Sequence, residues 1–370
     1  MNTISILFTP LQWCFLGLVL VLFIIITAYQ LILYRQAALK RNMAPQRDGE
    51  SLPPVSVVLC ATNEYKGLKR MLPVLLTQNY PRYEVVVVND RSQDHSEILL
   101  RTLQEQYPHL QVRTTSTDDR FGRSPSLSLG MAIRAAQYDV ILCIEADCKI
   151  KDANWIRSMA EPYGGETEMV LGYTTHYKCP VFLRCDLLQH ALHYLGRAAI
   201  RRPYTCTGAN LLFKKSLFYG NNGFNVRLTR DHAPLRVFIG EVSNRNNCRI
   251  CTHPSGVTHS RIKLNRHLGK LYRKVEKRSL ALSPKGTKHP MLAESTFRLF
   301  FYVAASIAIL LFYRRLELLL FFSTLLVLRP LLVLNLYLRV KKRLDDKGFA
   351  VPFMCWDVLF PFINIIRLFR

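Results

Sequence analysis

Charge is missing from the start of this chain: residues 1–34 contain no Asp, Glu, Lys or Arg. An uncharged apolar stretch of that length has no face to offer water, which excludes an ordinary soluble enzyme. Acidic residues are scarce throughout, with 26 Asp and Glu against 50 Lys and Arg, a formal net charge of +24. No internal repeat or low-complexity tract is visible, and with 49% hydrophobic residues disorder is excluded. A second cysteine pair is missing too. Cys248-Arg-Ile-Cys251, with His253 nearby, has zinc-like spacing. A four-ligand site needs a matching pair elsewhere, and Arg249 and Ile250 suggest a strand instead. The ten cysteines suit a reducing compartment, where they remain buried thiols.

What is present begins with a membrane anchor over residues 1–36. Leu11–Tyr34 is long enough to span a bilayer, and its leading segment lacks the positive charge of a signal peptide. Arg35, Lys40, Arg41 and Arg47 follow, so the positive-inside rule predicts a cytoplasmic flank. A Pro-bounded linker covers 37–54. A second apolar block, 296–340, is interrupted by Arg314, Arg315 and Glu317. It predicts helices over 297–313 and 316–338, the first short for a span, so two crossings and a shallow hairpin both fit. The tail, 349–370, carries Phe353, Trp356, Phe360 and Phe362 around an isolated Asp357, the pattern of a helix lying in the interface.

Between the anchors, 55–260 alternates strand and helix patterns. SVVLCA, YEVVVVND, LQVRTT and YDVILCIEAD are strand-like apolar runs, and helix-spaced apolar residues separate them. This predicts an α/β domain with a mainly parallel central sheet. Ligands of such sheets bind beyond the carboxyl ends of the strands. Thr62-Asn63-Glu64, Asn89-Asp90 and Glu145-Ala146-Asp147 all fall there, on one rim. Neighbouring carboxylates such as Glu145 and Asp147 repel unless a cation lies between them. Hard divalent cations take oxygen ligands and commonly share them with substrate phosphates. A solvated strand end is the alternative reading of the same pair.

The succession CATNE, VVVVNDRSQD, CIEADC and CTGANLLF resembles the family 2 glycosyltransferases, over roughly Val55–His259. That resemblance implies the GT-A nucleotide-sugar-binding fold. It implies that Ala61, Glu64 and Asp90 line a nucleoside pocket, with Asp90 accepting from a base N–H. Arg123 would face the diphosphate, or stand as a solvated loop residue. Asp147 would be the main ligand of Mg2+ or Mn2+, assisted by Glu145 in place of a more usual Asp. CTGANLLF would form the acceptor side: Gly208 would let the acceptor approach the backbone, and Asn210 would donate to a sugar hydroxyl, or simply cap or turn. The implied partners are a nucleoside-diphosphate sugar donor, a lipid-linked or growing glycan acceptor, and the cell membrane.

Two family features depart from the pattern. Aligning VFIGEV with the family's helix puts the usual acidic pair, which supplies the general base, on Pro234 and Leu235. The nearest carboxylate is Asp231, with His232 beside it; Asp231 would act as base or cap the helix that follows. Of a Gln-x-x-Arg-Trp acceptor element only Arg278 remains. A degenerate, non-catalytic glycan- or nucleotide-sugar-binding protein is therefore the alternative function.

Arg278 closes a basic stretch. Residues 261–278 hold eight Lys or Arg and one acid, interleaved with Ile262, Leu264, Leu268, Leu271, Tyr272 and Val275. At helical spacing this gives an apolar stripe beside a basic face, suited to an anionic lipid surface over 261–290 or to packing on the domain itself. No nucleic-acid-binding motif accompanies the charge, and nucleic acid is not an expected partner.

Overall fold

The structure is a computed structural model that describes residues 8–39, 52–115, 124–176, 178–200, 203–224, 234–262, 288–346 and 350–369. The chain forms two compact units: Met1–Arg35, Lys285–Arg339 and Phe349–Arg370 make one, and Gln36–Pro284 with Val340–Gly348 the other.

The first element, helix α1 (Pro10–Leu39), carries the uncharged N-terminal run. The α/β unit follows. Its elements are β1 (Val55–Ala61), α2 (Tyr65–Leu75), β2 (Tyr83–Asn89), α3 (Ser96–Gln106), β3 (Leu110–Thr114), α4 (Pro125–Ala135), β4 (Val140–Ile144), β5 (Cys148–Lys149), α5 (Trp155–Ala160), β6 (Met169–Leu171), β7 (Thr174–His176), α6 (Val181–Ala199), β8 (Asn210–Lys214), α7 (Lys215–Gly220), α8 (Pro234–Val242), β9 (Cys248–Ile250) and β10 (Thr258–Ser260).

Seven strands form the main sheet in the order β3-β2-β1-β4-β8-β6-β9. β3, β2, β1 and β4 run parallel, and β8 runs antiparallel to both β4 and β6. The continuous apolar strands are the consequence: Val57, Val58, Val85, Val86, Ile141 and Leu142 are all fully buried, on both faces of the sheet. Helix α2 turns Leu68, Met71, Leu72 and Leu75 onto one face and packs them into this core. Cutting one such leucine to Ala costs about 2–5 kcal/mol.

Register puts the chemistry at one edge. Ala61 pairs with Asn89, so β1 and β2 end together. Ile144, the end of β4, pairs with Asn210, the start of the reversed strand β8. The segment before β8 therefore joins the same rim as the segments after β1, β2 and β4. A second, three-stranded sheet, β5-β10-β7, begins one residue beyond Asp147.

The remaining elements are α9 (Lys288–Phe312), α10 (Leu316–Arg343) and α11 (Ala350–Phe369). Pro10–Arg35, Leu292–Phe312 and Leu316–Arg343 are long and apolar enough to cross a membrane. Helix α9 starts earlier than the expected residue 297, because Glu294 and Arg298 lie one helical turn apart and pair with each other. Asp357, isolated in the sequence, has partners in the fold. In α11 it is buried, 3.2 Å from both Arg298 Nη1 and Arg329 Nε, and accepts from the Tyr302 hydroxyl at 2.7 Å. Its isolation in the sequence hid partners that lie far away along the chain.

Candidate active site at the strand ends

The rim is stitched together by its own loops. Asn63 takes a left-handed conformation, φ 55°, which Asn tolerates better than most residues. Its side chain accepts from the Gln93 N–H at 2.7 Å, and its own N–H donates to Ser92 Oγ at 3.0 Å. Asp94 accepts from the Tyr65 and Ser96 N–H groups at 2.9 and 3.0 Å. The TNE and NDRSQD segments thus hold each other, which accounts for their appearing as a pair of motifs.

Asp90 follows β2 directly, and its N–H donates to Ala61 O at 2.8 Å. Its carboxylate is buried and accepts from Thr115 Oγ1 and Ser128 Oγ, both at 2.9 Å. Each oxygen keeps a further lone pair, so the oriented carboxylate can still accept from a ligand N–H. Neither Thr115 nor Ser128 carried a signal in the sequence.

Glu64 precedes α2 and lies near the Ala146 backbone. A Cβ at Gly67 would meet Ala146 O at 2.6 Å and Glu64 Oε2 at 3.1 Å, so this close approach needs a glycine. Burial, then the charges of Asp147 and Asp94, push the Glu64 carboxyl above its usual range.

Glu145, Asp147 and Cys148 bring their ligand atoms within 4.8 Å of one another. Asp147 Oδ2 accepts from Ser260 Oγ at 2.5 Å and from the Arg261 N–H at 3.2 Å, both supplied by the end of β10. The Glu145 residue is exposed at the rim. Loss of bulk water there, then the Asp147 charge, push its carboxyl up to about 8, against the pull of Arg236. His176, at the end of β7, is lowered to about 4 by burial, with Asp147 acting in the opposite sense.

These carboxylates fit a divalent cation. After desolvation, the larger cause in both, the Asp147 charge raises Glu64 and Glu145, and a bound cation would remove that repulsion. Glu145 and Asp147 supply hard oxygen donors, whereas burial keeps the Cys148 thiol protonated. His176 and Ser260 were missed in the sequence, because strands of three residues show no periodicity.

Gly208 lies just before β8, on the rim, with φ 75°, and a Cβ there would stand 3.7 Å from Leu235 Cβ. Asn210 corrects an expectation. Its side chain is fully buried, and Nδ2 donates to Tyr173 O at 3.0 Å and Gly256 O at 2.7 Å. It ties the two sheets together and does not reach toward an acceptor. Pro234 and Leu235 begin α8 and are buried, with Arg236 buried behind them. Arg123, Asp231 and Arg278 lie outside the described residues.

With this geometry in hand, residues 56–219 match the family model "Glycosyl transferase family 2". These residues form a family 2 glycosyltransferase domain. The chain is similar to poly-beta-1,6-N-acetyl-D-glucosamine synthase of Staphylococcus aureus (strain COL), 25% identical over 113 residues, 30% of this chain and 26% of that protein. It is 30% identical over 111 residues to "Probable glycosyltransferase YdaM" of Bacillus subtilis (strain 168), covering 29% of this chain and 26% of that one. The chain thus matches about a quarter of the length of these curated relatives. In fold it is similar to the mannosyltransferase PcManGT from Pyrobaculum calidifontis, solved with GDP-Man and Mn2+. That likeness has a TM-score of 0.53 and 18% identity, over 92% of this chain and 98% of that one. The glycosyltransferase domain therefore has the GT-A fold expected from its motifs.

Proposed function

We propose that this chain is a membrane-bound inverting glycosyltransferase, moving a sugar from a nucleoside-diphosphate donor to a lipid-linked or growing glycan acceptor at the cytoplasmic face of the cell membrane. The observation that carries this reading is the gathering of Glu64, Asp90, Glu145 and Asp147 on one rim of a parallel sheet. Ala61 and Asp90 bind the nucleoside, Asp90 accepting from a base N–H while Thr115 and Ser128 fix its plane. Glu145 and Asp147 would hold Mg2+ or Mn2+, which when bound neutralises charge on a leaving diphosphate. Ser260 and the Arg261 N–H orient Asp147 for that task.

In a single displacement the acceptor oxygen bonds to the anomeric carbon as the bond to the diphosphate breaks, inverting the centre. The hydroxyl proton passes to a base, for which Asp231 is the residue proposed. Arg123 would attract the diphosphate, Gly208 gives the acceptor room beside the backbone, and Arg278 would contact the acceptor. The basic stretch 261–290 would rest on anionic lipid.

Residues 340–348 belong to the same unit as 36–284. Chain leaving that unit into α9 must come back at the end of α10, as two crossings or a re-entrant pair would both do. Arg35, Arg339, Lys341 and Lys342 then favour the cytoplasm for that side.

The test is metal-dependent release of nucleoside diphosphate by the full chain in membranes, across a panel of nucleotide sugars. Turnover should be lost in Asp147→Ala; full turnover in that variant refutes the metal assignment. A second reading, donor binding without catalysis, is favoured by Pro234 and Leu235 at the start of α8, buried where the family carries its acidic pair. Nucleotide binding with no release of diphosphate from any donor would support it.

A further inference from the structure

Helix α10 ends inside the α/β unit, in a turn with an unusual residue. The Leu344 N–H donates to Val340 O at 2.8 Å and the Asp346 N–H to Lys341 O at 3.1 Å, the second being the closing bond of a Schellman cap. Asp345 occupies the left-handed position of that cap, with φ 46°. Glycine is the default there because it has no Cβ to clash, and Asp is one of the few other residues that visits this conformation. A carboxylate at this position can take on a further role, which glycine could not.

Its partners supply one. Asp345 pairs with Lys151 and stands 3.2 Å from His259 Nε2. Asp346 beside it is buried, bonded by Arg184 Nη2 at 2.7 Å, Tyr173 OH at 3.0 Å and Thr175 Oγ1 at 3.2 Å. Arg343 donates to Thr252 O at 3.2 Å. The turn therefore grips β7 through Tyr173 and Thr175, β10 through His259, and the segment after β5 through Lys151. β5, β10 and β7 are the strands of the second sheet, in which Ser260 pairs with both Cys148 and His176. The neighbour of the gripped His259 is Ser260, whose hydroxyl donates to Asp147.

We propose that Asp345 and Asp346 are positioning residues for the cation site. By clamping β10 and β7 they hold Ser260 in register with Asp147, so that the seating of this helix end sets the geometry of the carboxylate pair. The inference rests on the metal reading of Glu145 and Asp147 given above. Ser260 bonds the ligand directly, and the loss of such a partner commonly costs about tenfold or more in metal affinity; the turn acts one step further out.

The test is Asp345→Gly in the full-length protein in detergent, titrated with Mn2+ alone and followed by the electron paramagnetic resonance signal of the free ion. Its melting temperature without metal is the second readout. Glycine relieves the strained backbone while removing the carboxylate, so the variant should melt no lower than the parent. Its half-saturating Mn2+ concentration should rise, by up to roughly the tenfold seen when a ligand's direct partner is lost. Unchanged Mn2+ affinity in Asp345→Gly overturns the positioning role. Asp147→Ala, measured alongside, keeps the two ideas apart. Undiminished Mn2+ binding in that variant removes the metal reading itself, whereas a silent Asp345→Gly beside a defective Asp147→Ala removes only the clamp.

Discussion

The two units of this protein treat clustered charge in opposite ways. In the helical unit Glu294, Arg298, Arg329 and Asp357 form a set of two acids and two bases, each acid within reach of a base. Gln30 extends the set, donating to Glu294 and accepting from Arg329, both at 3.0 Å. Arg298 also lies over the Phe360 ring at 5.3 Å. Charge there is spent on holding helices. On the rim of the α/β unit, desolvation and then the Asp147 charge raise the cost of ionising Glu64 and Glu145, with Arg70 opposing at Glu64 and Arg236 at Glu145. Unspent negative charge of that kind calls for an external cation. Glu84 sharpens the contrast within the same unit. It stands at the other end of β2 and is fully engaged, accepting from Ser56 Oγ at 2.5 Å, Gln111 Nε2 at 2.7 Å and the Gln137 N–H at 2.5 Å.

The contrast is most exposed at Asp357. Asp357→Ala leaves two buried arginines short of an acid, which should cost about 3–5 kcal/mol and show as a large fall in melting temperature in detergent. A fall no larger than that of a surface substitution would break the comparison. Asn210→Ala should cost about 1–3 kcal/mol, because two buried carbonyls lose their donor. Its stability should fall with little change in half-saturating acceptor concentration; the reverse pattern would restore the acceptor role that burial removes.

The smallest effect concerns pH. A carboxyl raised to about 8 opposes folding when it ionises, so the metal-free protein loses stability as pH rises from the ordinary glutamate range toward that value. A cation needs the ionised form, so thermal stabilisation by Mn2+ should grow over the same interval. Glu145→Gln should flatten both trends. A parent protein whose Mn2+ stabilisation is independent of pH would mean that Glu145 is no ligand.

How much of this was legible in the sequence depends on where partners lie. The parallel strands were readable from their apolar runs, and the rim from polar residues placed directly after those runs. The placing of Asp90 and Asp147 at strand ends needed nothing more. Asn210 was misread because an amide at the start of a strand looks the same whether it faces the cleft or the core. Only the neighbouring carbonyls, Tyr173 O and Gly256 O, decide the matter. The pairing of Asp357 and Glu294 left no mark in the sequence, since their counter-charges sit on other helices or a turn away. Ser260 and His176 come from strands too short to leave a pattern.

The central claim is that the strand-end carboxylates jointly hold a cation and a nucleoside diphosphate. Its most direct test is the melting temperature of the full chain with UDP and with GDP, each with and without Mn2+, in the parent and in Asp147→Ala. The account predicts that one nucleotide stabilises the parent strongly only when Mn2+ is present, and that Asp147→Ala loses the Mn2+-dependent part. Equal stabilisation of both proteins, or stabilisation by nucleotide that ignores the metal, would contradict it.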